Sequence, residues 1–346
     1  MQQALELASR AGVSTLPNPR VGALVVKGGT IVGSGFHRRY GALHAEAEAL
    51  RTAGHRAQGA TLYCTLEPCS HEGKQPPCTR AIVQAGIKAV VFAQRDPHPG
   101  VGGAKVLRKA GIKVRAGFMS REAIGLNPGF NRFWHAGLPY VGAKVATSLD
   151  GMMALQSGGG AITGAVARRH GRLLRSRHQA VITGIGTVLV DDPRLTTRIP
   201  GERNPAKIIL DSHLQIPIRA RCLVGGETHV FTTRNSLPRR RRELESHGVT
   251  IHLVGADSRG HCDLSEVLGA IGSLGYLEVL LEAGPRLTMA FLEGGWVQDI
   301  HWFLSPRPMG QGLVFPMARI LPKLMPTARI ELVGKDLLIR GAWSGI

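Results

Sequence analysis

Acidic side chains are scarce in this sequence, and their scarcity sets its charge. The 346 residues include 24 Asp and Glu against 43 Lys and Arg, which gives a formal net charge of +19. Such an excess is typical of nucleic-acid-binding proteins. Aromatic residues, however, make up only 5% of the chain, and surfaces that bind single strands interleave basic and aromatic side chains. We therefore expect no nucleic-acid partner, and we interpret the dense run Arg239–Arg242 as the solvated face of a helix.

Cysteines and long apolar runs are also few. Five cysteines in a chain of this length are too few for a disulfide scaffold, so we expect a reducing compartment, where cysteines more often bind metals or serve catalysis. Every apolar run is far shorter than the ~18 residues that span a bilayer. Residues 1–12 lack the basic start and unbroken apolar stretch of a signal peptide. These absences predict a cytoplasmic protein with no membrane partner.

The length predicts two or three domains, since a domain commonly holds roughly 100–200 residues. Short apolar strands alternate with helical stretches in both halves, an order typical of α/β folds. A turn-rich stretch separates the halves. We therefore place a first domain at residues 1–125, a linker at 126–139 and a second domain at 140–346. A β-hairpin is predicted around Gly334.

One group of residues in the first half has the composition of a catalytic zinc site. His44 begins a helical stretch, Cys69 follows a predicted strand, and Cys78 comes nine positions later. One imidazole and two thiolates suit Zn²⁺, and three protein ligands leave the fourth position open for water. Glu46 need not bind the metal, so it can carry a proton from that water to a departing amine. The pattern H-x-E followed by P-C is typical of zinc-dependent nucleobase deaminases.

The spacing of the two cysteines departs from the short P-C-x-x-C form and carries a family resemblance. Residues 69–78 read C-S-H-E-G-K-Q-P-P-C. Other matching motifs are P-N-P at residues 17–19, G-F-H at 35–37, H-A-E at 44–46 and D-P-H-P at 96–99. Together they resemble the deaminase half of the bifunctional deaminase/reductase family of riboflavin biosynthesis, which usually has Asn where His98 stands.

This resemblance implies both a fold and a reaction. The expected fold is a cytidine-deaminase-like three-layer domain followed by a dihydrofolate-reductase-like α/β domain. The implied substrate is a pyrimidine that carries a 5-phosphoribosylamino group. Its 2-amino group is replaced by oxygen at a zinc site, and ammonia leaves. Asn18 would contact the base, and His71 and Lys74 would face the substrate.

Motifs in the second half match the reductase domain of the same family, in the same order. They are K-V-A-T-S-L-D-G from Lys144, G-I-G-T-V from Gly184, D-D-P-R-L-T from Asp191 and L-E-A-G-P from Leu281. The resemblance implies NADPH and a hydride transfer that reduces the opened ribose to a ribityl chain. The positions that match cofactor contacts are Ala146, Thr187, Asp191, Ser212, Gly284, Pro285 and Arg286. The positions that match substrate contacts are Lys144, Asp150, Arg175, Leu195, Arg198 and Glu282.

Physical chemistry supports part of this assignment. Gly284 precedes a predicted helix, and glycine there lets backbone N–H groups approach a phosphate. The guanidinium groups of Arg175 and Arg198 could each donate two parallel hydrogen bonds to the 5-phosphate. The sequence has no G-x-G-x-x-G that opens a helix, so no Rossmann site is predicted.

Two departures from the family pattern leave other interpretations open. The Ser and Trp that usually precede Ile162-Thr163 are missing, and P-K-L-x-G is replaced by P-R-P-M-G at residues 306–310. The reductase could therefore be weak, altered or lost, or a second chain could complete its site. The family resemblance itself suggests a homo-oligomer. Less favoured alternatives are a tRNA-editing deaminase and a structural zinc protein without catalysis.

Overall fold

The computed structural model describes residues 1–154 and 160–343, and the chain divides into two compact units. These are Met1–Leu138 and Pro139–Ile346. Both units alternate helices with strands, so the predicted α/β class is confirmed. No helix in the described ranges has the length and apolar character needed to cross a bilayer.

A mixed sheet forms the centre of the first unit. Its strands are β1 (Gly22–Lys27), β2 (Thr30–Phe36), β3 (Thr61–Leu66), β4 (Ala89–Gln94) and β5 (Lys113–Ala116). They lie in the order β2-β1-β3-β4-β5. Strand β1 pairs antiparallel with β2 and β3, whereas β3, β4 and β5 run parallel. The carboxyl ends of the parallel strands therefore meet at one edge of the sheet, and the loops that follow β3 and β4 start there.

Helices cover both faces of this sheet. They are α1 (Gln2–Ser9), α2 (Ala45–Ala53), α3 (Cys78–Gln84), α4 (Gly103–Lys109), α5 (Ser120–Leu126) and α6 (Pro128–Ala136). Phe92 and Ala93 are successive residues of β4 and point to opposite faces. Phe92 joins the core under α2, whereas Ala93 packs with Leu5 of α1 and Ala123 of α5. The first unit thus has the three layers that the family resemblance implied.

Two glycines bring helix α2 directly against strand β2. A Cβ atom at Gly33 would lie 2.3 Å from the carbonyl oxygen of Ala49, and one at Gly35 would lie 2.6 Å from that of Ala45. Any residue with a side chain would separate the helix from the strand, so only glycine permits this contact. The contact fixes the amino end of α2, where His44 is the N-cap residue.

Most of the stretch 126–139, expected to be a linker, lies in the first unit, which ends at Leu138. It forms α6, which begins at a proline and ends before Gly137 in a left-handed conformation. Phe130 is buried in the core of the unit. The side chain of Asn127 accepts from the backbone N–H of Arg20 (2.7 Å) and donates to its carbonyl (3.0 Å). Pro128 and Gly137 therefore mark the two ends of a packed helix. Because proline and glycine are also common in loops, the sequence alone predicted a linker here.

A larger sheet forms the centre of the second unit. The described strands are β6 (Tyr140–Thr147), β7 (Met152–Ala154), β8 (Ala180–Gly184), β9 (Ala206–Leu210), β10 (Thr228–Thr233), β11 (Thr250–Val254), β12 (Glu278–Leu281), β13 (Asp299–Leu304), β14 (Leu313–Val314), β15 (Arg329–Val333) and β16 (Asp336–Ala342). Nine of these described strands form one sheet, in the order β11-β10-β9-β8-β12-β6-β13-β16-β15. Neighbours from β11 to β13 are parallel, and β16 is antiparallel to both β13 and β15. The hairpin predicted around Gly334 is confirmed as β15 and β16.

Helices connect many of the parallel strands. They are α7 (Ala165–Ser176), α8 (Ile185–Asp191), α9 (Pro238–Ser246), α10 (Leu264–Ser273), α11 (Pro285–Glu293) and α12 (Met317–Leu324). Because neighbouring strands run the same way, the carboxyl ends of β9, β8, β12 and β6 align along one edge. Ligands of open α/β sheets bind at such an edge.

Lys207 is the unusual residue inside the second unit. It lies in β9 with its side chain 1% exposed. Its ammonium group donates to the carbonyl oxygens of Cys222 (2.8 Å), Val224 (2.9 Å) and Gly225. Burial lowers the pKa of Lys207, but three carbonyl oxygens satisfy its three N–H donors. The lysine thus ties β9 to the turn that precedes β10.

Lys207→Met keeps most of the aliphatic stem and removes these hydrogen bonds. Because it leaves buried carbonyl oxygens without a donor, we expect the free energy of unfolding to fall by roughly 2–4 kcal/mol. Urea denaturation followed by circular dichroism measures the change. Lys335→Met, at the exposed hairpin turn, is the matched control and should change it by less than ~0.5 kcal/mol. Equal effects of the two variants would contradict a stabilising role for the buried ammonium group.

Candidate active sites

Three elements of the first unit bring the predicted zinc ligands together. His44 precedes α2, Cys69 follows β3 and Cys78 is the first residue of α3. His44 Nδ1 lies 3.5 Å from Cys69 Sγ and 3.3 Å from Cys78 Sγ. Tetrahedral ligands at the usual Zn–N and Zn–S bond lengths are about 3.6 Å apart, so these donors fit Zn²⁺. In the described parts of the chain, no other group of three His, Cys, Asp or Glu side chains comes as close together.

The two thiols differ in their tendency to ionise. Hydrogen bonds from Cys78 and His44 lower the pKa of Cys69 to about 4. The neighbouring Cys69 sulfur and burial raise the pKa of Cys78. One sulfur of the pair is therefore a thiolate at neutral pH, which is the form that binds a metal ion.

Glu46 lies at the start of α2 and is 4% exposed. Burial, followed by the charge of Cys69, raises the pKa of Glu46 to about 7. A carboxyl group with this pKa gains and loses a proton readily at neutral pH, as general acid–base catalysis requires. The structure therefore places the predicted proton carrier beside the metal ligands.

His37 contacts both Asn18 and the predicted zinc ligand His44. The side-chain amide of Asn18 donates to His37 Nε2 (3.4 Å), and His37 Nδ1 donates to the carbonyl oxygen of Leu43 (3.0 Å). The His37 ring meets the His44 ring edge-on, with 5.5 Å between centroids. Burial lowers the pKa of His37, so the neutral imidazole that accepts from Asn18 is favoured. Asn18 thus reaches the zinc site through His37, a residue for which the motif G-F-H suggested no role.

The loop between the two cysteines carries the other predicted substrate residues. His71 and Lys74 are exposed. The Lys74 ammonium group lies 4.1 Å from the centroid of the Tyr40 ring, a cation–π contact. Gln75 donates to the carbonyl oxygen of Gly41 (3.1 Å). These contacts hold the loop against the segment that leads to His44.

Most of the residues predicted to bind NADPH lie along one edge of the second sheet. Ala146 is near the carboxyl end of β6, Ser212 follows β9 and Gly284 follows β12. Thr187 and Asp191 lie in α8, which begins directly after β8. The structure therefore brings Ala146, Ser212, Gly284 and Thr187 to the edge at which α/β sheets bind ligands, whereas Asp191 lies at the other end of α8.

The amino end of α11 fits an anionic group. Gly284 is its N-cap residue, and a Cβ atom there would lie 4.0 Å from the hydroxyl oxygen of Thr187. Unpaired backbone N–H groups at a helix start attract phosphate, and Arg286 is exposed in the first turn. The Ser212 hydroxyl, in contrast, accepts from the backbone N–H of Cys262 (3.0 Å). The start of α11 therefore offers backbone N–H donors to an anionic group.

We expected Arg175 to donate two hydrogen bonds to a substrate phosphate. Instead, it donates both to the carboxylate of Glu282. Nε and Nη2 donate to the two carboxylate oxygens at 2.6 and 2.8 Å, and Nη1 donates to the carbonyl of Thr196. Burial acts to raise the pKa of Glu282, but the charges of Arg175 and Lys144 outweigh it and lower this pKa to about 2. Arg175 therefore orients a charged Glu282 at the carboxyl edge.

Arg198 remains the better candidate for a phosphate. It contributes to the lining of a cavity of about 320 Å³ formed by residues of the stretch 196–204. Burial and the charges of Arg175 and Arg172 lower the pKa of Arg198, and a bound anion would relieve this repulsion. The Leu195 side chain is buried in the core, so a substrate contact there would come from its backbone.

Asp150 has a local structural role. Its carboxylate accepts from the hydroxyl of Ser148 and from the backbone N–H groups of Met309 (3.0 Å) and Gly310 (2.7 Å). These hydrogen bonds, that of Ser148 foremost, lower the pKa of Asp150 to about 2. Asp150 thus anchors the loop in which the sequence P-R-P-M-G departs from the family pattern. The other departure, before Ile162, falls largely outside the described residues.

Two family models match the chain, one in each unit. The zinc-binding region of cytidine and deoxycytidylate deaminases matches residues 1–94, and the RibD C-terminal domain matches residues 139–339. The riboflavin biosynthesis protein RibD of Bacillus amyloliquefaciens is 39% identical over 97% of this chain and 94% of its own length. The chain belongs to the RibD family. RibD of Aquifex aeolicus is 41% identical over 98% of this chain and 96% of its own length.

Solved RibD structures share the fold over the whole chain. RibD of Acinetobacter baumannii matches with a TM-score of 0.87 at 37% identity, covering 99% of this chain and 97% of its own. The Thermotoga maritima diaminohydroxyphosphoribosylaminopyrimidine deaminase/5-amino-6-(5-phosphoribosylamino)uracil reductase matches at 0.84 and 32%, with the same coverage. The predicted family and its order of a cytidine-deaminase-like and a dihydrofolate-reductase-like domain are thus confirmed. None of these RibD relatives favours the tRNA-editing alternative.

The ion pair of Glu282 should make stability depend on pH. Its pKa of about 2 in the folded chain is below the ordinary value of 4.5. The pair therefore stabilises fully above pH 4.5, and this contribution is lost as the pH falls towards 2. Across this window we expect the free energy of unfolding of the wild type to fall by roughly 3 kcal/mol more than that of Glu282→Gln.

Urea denaturation at a series of pH values measures this difference. Glu331→Gln is the control, because Glu331 is exposed and lies 3.7 Å from Arg340. Its pH dependence should follow that of the wild type. If Glu282→Gln also followed the wild type, the depressed pKa of Glu282 would be contradicted.

Proposed function

We propose that the first unit deaminates 2,5-diamino-6-(5-phosphoribosylamino)pyrimidin-4-one and that the second unit reduces the ribosyl group of the product to ribityl. As a member of the RibD family, the chain is a bifunctional deaminase and reductase of riboflavin biosynthesis, with zinc and NADPH as its cofactors. The observation that carries the proposal is the convergence of His44, Cys69 and Cys78 beside the buried Glu46. Because thiolate ligands need a reducing compartment, we assign the enzyme to the cytoplasm.

In the first site, Glu46 moves the protons of the deamination. Zn²⁺ held by the three ligands would polarise a water molecule and lower its pKa. Glu46 takes a proton from the attacking water and gives it to the amine, which leaves as ammonia. A C–O bond forms and a C–N bond breaks, so no oxidant is needed.

Polar groups around the first site are suited to the rest of this substrate. The amide of Asn18, held by His37, can pair with polar atoms on the edge of a pyrimidine. His71 and Lys74 stand at the exposed rim, where a cation can meet a phosphate that remains partly in water. We therefore assign base recognition to Asn18 and ribose-phosphate recognition to the loop.

In the second site, the chain holds two anionic ligands and orients their reacting ends. NADPH supplies the hydride. The amino end of α11, with Gly284 and Thr187, would hold its diphosphate. Glu282, oriented by Arg175, can accept hydrogen bonds from ribosyl hydroxyl groups. Arg198 would take the 5-phosphate.

Product masses test both activities of the wild-type chain. Without NADPH, the pyrimidine ribotide should gain about one mass unit as oxygen replaces the amine. With NADPH, it should gain about two more through hydride and proton addition. Glu46→Gln should keep its zinc, lose deamination by at least about 100-fold and still reduce added deaminated substrate. Cys69→Ser should lose zinc and deamination together.

Two results would contradict this assignment. Deamination that survives Glu46→Gln would remove Glu46 from the chemistry. A wild type that deaminates but does not oxidise NADPH with the deaminated substrate would support a decayed reductase instead.

We also propose that two copies of the chain associate along β15. This strand is the last of the described sheet, and its unpaired edge can accept another strand. Ile330 and Leu332 lie on the same side of the strand and are 52% and 76% exposed. Exposed apolar side chains on a sheet edge favour association with a partner of the same kind.

Light scattering tests this association. We expect a dimer mass for the wild type and a monomer mass for Leu332→Asp at micromolar concentration. Leu253→Asp is the matched control, because Leu253 is 44% exposed on the opposite edge strand, β11. A monomeric wild type, or an unchanged mass for Leu332→Asp, would contradict an interface at β15.

A further inference from the structure

A row of three aromatic rings runs from helix α6 to the loop between the two zinc cysteines. The imidazole of His98 meets the indole of Trp134 edge-on, with 4.2 Å between centroids. The same imidazole also stacks on that of His71, with 5.6 Å between centroids and 19° between planes. Edge-to-face and offset-stacked rings attract each other at such distances. The row thus ends at the ring of His71, to which we assign substrate recognition.

His98 is itself held in place. Its backbone N–H donates to Asp96 Oδ1 (2.9 Å), and its ring Nδ1 accepts from the backbone N–H of Gly100 (2.9 Å). Trp134, which it touches, packs on the core of the first unit and against Phe130. His98 therefore offers His71 a ring that is fixed by backbone and core contacts.

The backbone before His71 is anchored separately. The N–H of Gly102 donates to the hydroxyl of Ser70 (3.2 Å), and that of Ala104 donates to Glu67 Oε1 (2.9 Å). These hydrogen bonds join the loop after β4 to the loop after β3, up to the residue before His71. The side chain of His71 lies beyond them and is exposed, so the stack on His98 is the contact that orients its ring.

We propose that His98 is a positioning residue for the deaminase, whose ring holds the ring of His71 in the orientation that meets the substrate. The inference rests on the proposed function of the first site. An exposed imidazole that rotates must be ordered when substrate binds, and this ordering weakens binding. A stacked imidazole is already ordered. The stack therefore acts on KM, whereas kcat depends on Glu46 and the metal ligands, which His98 does not touch.

Two variants separate the ring from its hydrogen bond. His98→Asn keeps an acceptor for the N–H of Gly100 and removes the ring. His98→Phe keeps the ring and removes the acceptor. We expect His98→Asn to raise the KM for the pyrimidine ribotide about 3- to 10-fold, with kcat within about twofold of the wild type. His98→Phe should restore KM to within about twofold.

Further measurements separate positioning from damage to the fold. Zinc content and the reductase rate should be those of the wild type in both variants. In the background of His71→Ala, His98→Asn should have no additional effect, because the ring it positions is gone. Independently of turnover, His98→Asn should move the NMR signal of the His71 ring proton Hε1, since the ring current of His98 is lost, and His98→Phe should keep a ring-current shift.

Several outcomes would overturn the inference. The KM of His98→Asn could be unchanged, or that of His98→Phe could rise as much as that of His98→Asn. In the His71→Ala background, His98→Asn could raise KM further. Finally, the NMR signal of His71 could stay in place in His98→Asn. A wild type that does not deaminate the ribotide but shows the expected His71 signals would reject the proposed substrate and leave the stack established.

Discussion

The first site depends on how closely helix α2 approaches strand β2. His44 is the residue before this helix, whereas Cys69 lies in the loop after β3 and Cys78 is the first residue of α3. The two sources meet at 3.3–3.5 Å because Gly33 and Gly35 let the helix backbone rest on the strand. A single methyl group at either glycine would move the helix by more than the tolerance of a zinc–ligand bond. Two residues without side chains thus set the distances between the imidazole of His44 and the two thiols.

The second unit has a different constraint. It holds a buried, charged carboxylate, that of Glu282, at the sheet edge where α/β sheets bind ligands. An ion pair such as that of Glu282 and Arg175 costs much of its Coulomb attraction in lost hydration, and apolar replacements are often as stable. Stability alone does not explain the pair. A functional need explains the pair: the binding edge requires a carboxylate that is charged and fixed at neutral pH. The two parallel hydrogen bonds from Arg175 keep Glu282 in that state.

Sequence patterns predict residues whose chemistry is local, and fail where a side chain has several possible partners. The grouping of His44, Cys69 and Cys78 could be predicted because zinc chemistry limits the residue types and the spacing. The alternation of short apolar strands with helical stretches also predicted the α/β class, and the turn at Gly334 predicted the hairpin of β15 and β16.

The misses have a common physical cause. An arginine fits a phosphate and a carboxylate equally well, so the pairing of Arg175 with Glu282 depends on a contact across 107 positions of sequence. The segment at 126–139 contains turn residues that also cap helices, and only the packing of Phe130 decides between loop and helix. His37 stood in a recognised motif, but its link to Asn18 requires a fold that brings the two together.

The net charge of +19 reflects the composition, in which 24 Asp and Glu face 43 Lys and Arg. Several of the acidic side chains accept hydrogen bonds from backbone N–H groups. They include Glu67, Asp150, Asp211, Asp263 and Asp336. Residues 1–139 hold 18 basic and 7 acidic side chains, and residues 140–346 hold 25 and 17, so both units are left with a surplus of positive charge. Because each proposed ligand carries phosphate, this surplus draws the ligands of both sites towards the protein. A charge that suggests nucleic acid from composition alone is therefore consistent with two small phosphorylated ligands.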